Sequence, residues 1–366
     1  MSKKGRVLMA MSGGIDSSVA AILLLEQGYE LIGVTMKTWD YDSSGGAGKE
    51  TGCCSLDSIN DARHLAVKLG FPHYIIDIRG EFQEKIIDNF IGEYMIGRTP
   101  NPCVLCNTFI KWEALLKRAD DLDCDFIATG HYAQINQQDG RFYVSKGLDG
   151  GKDQAYVLWG ISQENLARTL FPLGTYHKSE IRDLARQHGF ERLAGKSESY
   201  EICFIPDNDY RGFLKRKVEG LEEKVDGGDY VTSDGRIVGK HKGFPFYTIG
   251  QRKGLEIAMG EPYYVNNIDP ETNRVVIGPR EELLSQAMLV GKLSFQKMDH
   301  ITDGMEVSVQ IRHHDPGTDA LVFNHAPGVL RVEFKKPVSA ITPGQSAVIF
   351  QGDNLIAGGF IIKKID

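Results

Sequence analysis

Ser12-Gly13-Gly14-Ile15-Asp16-Ser17 decides how this chain is read. Before it stands Val7-Leu8-Met9-Ala10-Met11, a short apolar run that reads as a buried strand. After it, Val19, Ile22, Leu23 and Glu26 fall at helical spacing until Gly28 stops the helix. Strand, glycine turn and helix together form a phosphate cradle. Two glycines let the backbone turn at positive φ and approach a ligand closely. The N–H groups of the turn and of the helix start then face an anion. Ser12 and Ser17 add hydroxyl donors. Asp16 carries the wrong sign for phosphate, so its carboxylate is better explained by Mg²⁺ travelling with a nucleotide. No Gly-Lys-Ser/Thr follows, which excludes a Walker A loop, and the Gly-x-Gly-x-x-Gly of dinucleotide folds is missing. The plain alternative is a glycine turn with a serine N-cap.

S-G-G-x-D-S behind a strand resembles the pyrophosphate loop (PP-loop) of the N-type ATP pyrophosphatases. That resemblance implies cleavage of ATP between the α- and β-phosphates and adenylation of a substrate oxygen. The surrounding pattern agrees. Glu30–Met36, His73–Ile78 and Asp125–Gly130 read as strands, and Asp57–Leu69 and Glu81–Gly97 as helices. A Gly/Ser-rich loop runs from Trp39 to Gly52. Alternating strands and helices imply a parallel sheet, with ligands at the carboxyl ends of its strands. Met36 and Gly130 lie at such ends, one placed to pack on an adenine and the other to let it approach.

At 366 residues the chain exceeds one typical domain. A net charge of −7 argues against a general polyanion binder, so a nucleic-acid site has to be a local patch. The Lys3-Lys4-Gly5-Arg6 start resembles a signal n-region, but the apolar run behind it is too short, so no signal peptide is expected. No stretch approaches a membrane span, and the expectation is a soluble, cytoplasmic protein. The six cysteines are Cys53, Cys54, Cys103, Cys106, Cys124 and Cys203. In a reducing cytosol they read as catalytic, metal-binding or buried residues rather than structural disulfides.

Three parts are expected: an α/β domain over 1–205, a small central domain over 206–280 and a β-barrel over 281–366. The central part opens with a short basic helix, Tyr210–Val218, followed by glycine-rich hairpins around Gly239–Gly243 and Tyr247–Gly254. In the last part, Glu306–Arg312 and Leu330–Lys335 alternate apolar and polar residues, and six such strands suggest a barrel. Alternation puts Val307, Val309 and Ile311 inside and Arg312 outside. Arg331, Lys335 and Lys336 form a basic outer face, either a solvated surface or a contact for an RNA backbone.

Arg98-Thr99-Pro100-Asn101-Pro102-Cys103-Val104-Leu105-Cys106-Asn107 reads as a proline-pinned loop leading into a helix over Ile110–Ala119. Cys106 then sits at that helix's N-terminus, where the dipole favours a thiolate. Glu201-Ile202-Cys203-Phe204-Ile205 places a second cysteine where the α/β region ends. Cys124 reads as a core residue, and Cys53-Cys54 is ambiguous.

S-G-G-x-D-S, R-T-P-N-P-x-x-x-C-N, A-T-G-H-Y, G-K-D-Q, E-I-C-F-I and Y-T-I-G-Q-R-K-G-L occur in this order. Together they resemble the bacterial tRNA-uridine 2-sulfurtransferases, over essentially the whole chain. The resemblance implies a Rossmann-like sheet of the adenine nucleotide alpha hydrolase type, then a central domain and a tRNA-contacting barrel. It implies ATP across Ala10–Ser17, Met36 and Gly130, with the flipped wobble uridine near Asn101, Pro102 and Cys103. The uridine C2 oxygen attacks the α-phosphate and pyrophosphate leaves. Cys203 matches the residue that carries a persulfide, and Cys106 the second catalytic cysteine, with a Cys106–Cys203 disulfide left after sulfur transfer. Lys152, Asp153 and Gln154 match a tRNA-contacting motif, as do His131, Arg312, His313 and Gln345 more loosely. The implied partners are tRNAs with Lys-, Glu- and Gln-type anticodons and a persulfide donor or cysteine desulfurase relay, with no membrane.

One position departs from the family pattern. Where several relatives carry an aspartate proposed as acid/base, this chain has Cys103, and a thiol is no ready replacement for a carboxylate. Cys103, Cys106 and Cys203 also make three thiols suited to a 4Fe–4S iron–sulfur cluster with one open iron, as in cluster-dependent tRNA thiolases. Two other function classes compete. A small-molecule ATP pyrophosphatase needs neither Cys106 nor Cys203, and a non-enzymatic RNA-binding protein does not need Asp16.

Overall fold

The computed structural model describes residues 4–39, 55–196 and 202–365. The rest of the Gly/Ser-rich loop after Trp39, with Cys53, Cys54 and Glu201, lies outside the described residues. Two compact units emerge. The first comprises Met1–Ile86, Cys103–Asn208 and Asp353–Ile356, and the second Ile87–Pro102, Asp209–Gly352 and Ala357–Asp366.

The first unit is built on a five-stranded sheet. Its strands are β1 (Arg6–Ala10), β2 (Glu30–Lys37), β3 (His73–Asp77), β4 (Phe126–Ala128) and β7 (Thr169–Leu170), in the order β3-β2-β1-β4-β7. The pairings β1–β2, β1–β4, β2–β3 and β4–β7 are all parallel, as the alternation of strands and helices predicts. Val7, Leu8 and Met9 in the central strand are wholly buried. The helix Ile15–Glu26 is covered on more than one face: Val19, Ala20, Ala21 and Leu24 are all buried. The single stripe expected from Val19, Ile22 and Leu23 is therefore too narrow, because Ala20 and Ala21 are small enough to let neighbours close in. The edge strand β3 leaves Tyr74 and Ile75 exposed, so its apolar run does not mark burial.

An antiparallel hairpin, β5 (Ala133–Gln138) and β6 (Arg141–Lys146), was not expected. Its turn is Asp139-Gly140, with both residues at positive φ, the conformation that matches strand twist in a tight hairpin. A second difference concerns the cysteine helix. The helical run begins at Pro102–Leu105, continues as a π-helix over Cys106–Ala114 and ends as Leu115–Asp121. Proline suits the first helical position because its missing N–H has no partner there. Cys106 thus lies inside the run and not at its start. Trp112, fully buried, anchors the π segment by donating its indole N–H to Thr169 Oγ1 at 2.7 Å.

The second unit contains a four-stranded sheet and a barrel. β8 (Gly228–Thr232), β9 (Ile237–His241), β10 (Tyr264–Asp269) and β11 (Arg274–Gly278) run in the order β10-β11-β8-β9. Gly239-Lys240-His241 belongs to β9, so the hairpin expected over Gly239–Gly243 is displaced into a strand. The helix Tyr210–Lys217 forms as read, with Asp209 accepting the Gly212 N–H at 2.9 Å. It packs Phe213 on Phe90 and stacks Tyr210 on Tyr94.

Six strands make the barrel: β12 (Leu284–Phe295), β13 (Met305–Gln310), β14 (Thr318–Ala326), β15 (Val329–Ser339), β16 (Ser346–Gln351) and β17 (Asn354–Ile365). The order β12-β15-β14-β13-β16-β17 closes through β12–β17 pairing, which removes open edges. Val307, Val309 and Ile311 face inward, and Arg312 is exposed, as alternation requires. Among the described residues no helix is long and apolar enough to cross a membrane. Replacing Trp112 with alanine removes both a buried ring and its hydrogen bond. We expect a loss of about 3–5 kcal/mol in unfolding free energy, measured by denaturant titration.

Candidate active site

The loop Ser12–Ser17 closes on itself before any ligand is considered. Ser17 Oγ accepts the Ser12 N–H at 3.2 Å and donates to the Gly14 carbonyl at 3.2 Å. Ser18 Oγ donates to that same carbonyl at 2.8 Å. These bonds hold the turn open at the helix N-terminus, where the first backbone N–H groups have no intrahelical partner. Gly13 adopts φ +68°, and a Cβ there would lie 1.9 Å from the Ser58 carbonyl oxygen. Gly130 also has a packing role beyond the close ligand approach expected of it. A Cβ on it would come 2.8 Å from the Ser17 nitrogen, so its bareness serves packing against the helix start. Met36, half-buried, lies at the carboxyl end of β2, and Thr35 beside it donates to the Met11 carbonyl at 2.9 Å.

Asp16 is the centre of a network that the sequence did not reveal. Lys178 Nζ reaches its two carboxylate oxygens at 2.7 and 2.8 Å. The Tyr132 hydroxyl donates to Asp16 Oδ1 at 2.7 Å. The Lys178 side chain is 10% exposed against 33% for Asp16, so the pair is partly shielded from water. Lys178 opens the helix Lys178–Gln187, where the positive dipole end opposes a cation. A lysine in that place is the signal that sequence reading passed over. Lys196 forms a second basic contact, donating to the Gly13 carbonyl at 2.9 Å while paired with Asp61 at 3.0 Å.

The G-K-D-Q segment is tied into this network. Gln154 accepts the Tyr132 N–H at 3.0 Å and returns its own N–H to the Tyr132 carbonyl at 3.0 Å. Asp153 Oδ1 accepts the N–H groups of Gly147 and Ala155. Burial pushes the Asp153 carboxyl up, against those two bonds. Asp149 accepts the Lys178 N–H at 3.0 Å, and Lys152 donates its N–H to the Asp149 carbonyl. His131 is buried beside Trp112 and Phe171, with Nδ1 2.6 Å from Thr129 Oγ1 and Nε2 3.4 Å from Lys111 Nζ. Desolvation first, then Lys111, holds its pKa well below the usual histidine value.

Cys106 is half-buried, Cys203 and Cys103 are exposed, and no disulfide joins them. Cys106 is inside a helical run, so the dipole argument for its thiolate does not apply. Cys103, in the first turn, is exposed as a whole residue. Enough protein surrounds its sulfur for desolvation to push the thiol up, with Lys111 opposing. Among the described residues no three His, Cys, Asp or Glu side chains stand together to hold a metal. The trio Cys103, Cys106 and Cys203 therefore does not fit the cluster that its spacing suggested. Cys124 is a core residue as expected, its thiol pushed up to about 11 chiefly by burial.

In the second unit, Gln345 Nε2 donates to the Pro100 carbonyl at 2.8 Å and the Thr99 carbonyl at 3.3 Å. Thr99 N–H donates to Pro343 O at 3.0 Å. The loop leading to Asn101 and Pro102 is thus held by the barrel segment Pro343–Gln345. Arg312 and His313 are exposed on a turn shaped by Asp315, which accepts the Ile311 and Gly317 N–H groups. On the outer barrel face, Arg331 pairs with Glu333 and Lys335 with Glu306.

Family models match along the chain: a tRNA methyl transferase HUP domain over residues 5–207, a PRC-barrel domain over 211–279 and an aminomethyltransferase beta-barrel domain over 285–361. The tRNA-specific 2-thiouridylase MnmA of Cytophaga hutchinsonii is 60% identical, over 99% of this chain and 98% of its own length. That of Amoebophilus asiaticus is 61% identical, over 98% and 96%. The chain belongs to the tRNA-specific 2-thiouridylase family. A 4-thiouridine synthetase solved with RNA and ATP aligns over 59% of this chain and 51% of its own, at 17% identity and a TM-score of 0.37. That likeness carries no argument. Lys178 and Tyr132, absent from the sequence reading, are the side chains that hold the Asp16 carboxylate.

Gly13→Ala should force the loop away from Ser58 and cost more than about 2 kcal/mol, read as a lower denaturation midpoint with loss of amide protection over the helix Leu56–Leu69. His131 titrates at lower pH folded than unfolded. Below about pH 6.5 the unfolded chain binds more protons, so stability falls as pH falls. His131→Gln should reduce that slope by up to about 1.4 kcal/mol per pH unit, measured by denaturation between pH 7.5 and 5 as approximate limits.

Proposed function

We propose that this chain transfers sulfur to C2 of the wobble uridine of tRNA in an ATP-dependent reaction. The observation that carries it is one compact unit holding both a Gly-Gly phosphate loop and two cysteines, Cys106 and Cys203, outside the core and unlinked. ATP sits across Ala10–Ser17 with Met36 beside the base, and Asp16 is the residue that would hold Mg²⁺. The ion would supply charge neutralisation for the phosphates. Lys178 then exchanges Asp16 for phosphate oxygens, and Tyr132 keeps the carboxylate oriented.

The uridine C2 oxygen attacks the α-phosphorus, the bond to pyrophosphate breaks, and the oxygen leaves later as AMP. A persulfide on Cys203 comes from a sulfur donor. Its terminal sulfur attacks C2, or leaves as hydrosulfide when the Cys106 thiolate attacks the inner sulfur. In either order the Cys203 sulfur–sulfur bond breaks and a Cys106–Cys203 disulfide forms, which an external thiol reductant resets. Lys152, Asp153, Gln154, His131, Arg312, His313 and Gln345 belong to the tRNA-binding surface, directly or by holding its backbone. Asn101, Pro102 and Cys103 face the target base.

The test supplies iron-free full chain with unmodified tRNA, ATP·Mg²⁺ and a persulfide donor, and reads 2-thiouridine by mass spectrometry of digested tRNA. Cys106→Ser and Cys203→Ser should each abolish product while keeping tRNA and ATP binding. Asp16→Ala should abolish pyrophosphate release. Product from either cysteine variant would overturn the cysteine roles, and pyrophosphate release without tRNA would favour a small-molecule synthetase.

A further inference from the structure

A pocket of about 420 Å³ in the second unit is lined by three arginines, Arg252, Arg280 and Arg312, and by no acidic residue. The three come from separate places in the chain. Arg252 follows the Thr248–Gln251 turn, Arg280 opens the short helix Arg280–Leu283, and Arg312 follows β13. Among the described residues none of them is ion-paired. Nearby acids are committed elsewhere. Glu282 accepts from Asn266 and Ser233, and Asp315 from two backbone N–H groups. Two exposed lysines of this unit, by contrast, are paired, Lys240 with Asp229 and Lys242 with Glu256. Three guanidinium groups around one hollow repel each other unless an anion joins them.

The pocket wall is built from constrained backbone. Gly250 holds φ +87°, and a Cβ on it would come 2.9 Å from the Ala340 Cβ. Ala340 itself adopts φ +60°, uncommon for a residue with a side chain, and donates its N–H to Leu283 O at 3.1 Å. Ser339 adds a hydroxyl to the lining. Planar guanidinium forks match phosphate oxygens in pairs. The volume exceeds one phosphate and admits a flanking ribose.

We propose that this pocket grips the phosphate backbone of the RNA substrate, with Arg252 and Arg280 as contacts beyond Arg312. The proposal rests on tRNA being the substrate. The test follows tRNA binding to the full chain by fluorescence anisotropy across a salt series. Arg252→Ala and Arg280→Ala should each weaken binding several-fold and flatten the log–log salt slope by about 0.7–0.9. Arg118→Ala, whose guanidinium pairs with Asp121, should leave the slope unchanged. An unchanged circular dichroism spectrum and denaturation midpoint report that each variant is folded. Replacing chloride by inorganic phosphate at equal ionic strength should weaken tRNA binding more in the wild type than in the double variant.

Wild-type affinity and slope in both arginine variants would overturn the proposal. Phosphate binding lost in the double variant, with tRNA affinity unchanged, would make the pocket a site for free anions instead and overturn it too. A wild-type chain that binds no tRNA would strike down the substrate reading and this proposal with it.

Discussion

The contact between Asp16 and Lys178 organises the first unit. A carboxylate in a loop built to attract anions is out of place electrostatically, and the structure resolves this with a cation from a distant helix. The two charges meet in partial shelter from water, where an ion pair is stronger than on the open surface. Tyr132 adds a neutral donor to the same carboxylate. Because Gln154 exchanges two hydrogen bonds with the Tyr132 backbone, and Asp149 holds the backbone of Lys178, the segment Asp149–Gln154 is mechanically joined to the phosphate loop. Any shift of the Asp16–Lys178 pair is therefore felt at Asp149–Gln154 through these bonds.

The second unit repeats the theme with neutral groups. Gln345 spends its amide on two carbonyls of the Thr99–Pro100 loop, and Gly344 is bare because a Cβ there would lie 2.7 Å from Thr99 O. Proline cannot donate, so a loop with Pro100 and Pro102 offers mainly carbonyls to its surroundings. A side-chain amide donor is what such a loop needs. Gln345 thus holds the Thr99–Pro100 loop through its backbone.

Cysteine chemistry is set by helix boundaries. Starting the helix at Pro102 moves the dipole's favourable position from Cys106 to the neighbourhood of Cys103, yet desolvation there still raises the Cys103 thiol. Burial outweighs a first-turn dipole that is itself worth only about 0.3–1 kcal/mol at an exposed site. The π-helical stretch from Cys106 to Ala114 is an unusual conformation that concentrates at functional sites. It places Cys106 and the buried Trp112 on one continuous element.

The sequence by itself determined the strand–loop–helix cradle, the parallel sheet, the inward face of Val307, Val309 and Ile311, and the burial of Cys124. Each of these depends on local chemistry: two glycines, an apolar run, a period of two, an isolated thiol. It also supplied the family, through ordered motifs. Tertiary structure alone decided what joins across long separations. Lys178 lies 162 residues from Asp16, and Gln345 lies 245 from Pro100. No periodicity encodes such pairs, because each is fixed by where two elements happen to pack. The packing of Gly130 on the helix start and the beginning of the cysteine helix at Pro102 escape sequence for the same reason. A glycine or a proline announces that the backbone is special there, and only the packed neighbours show what the special conformation is for.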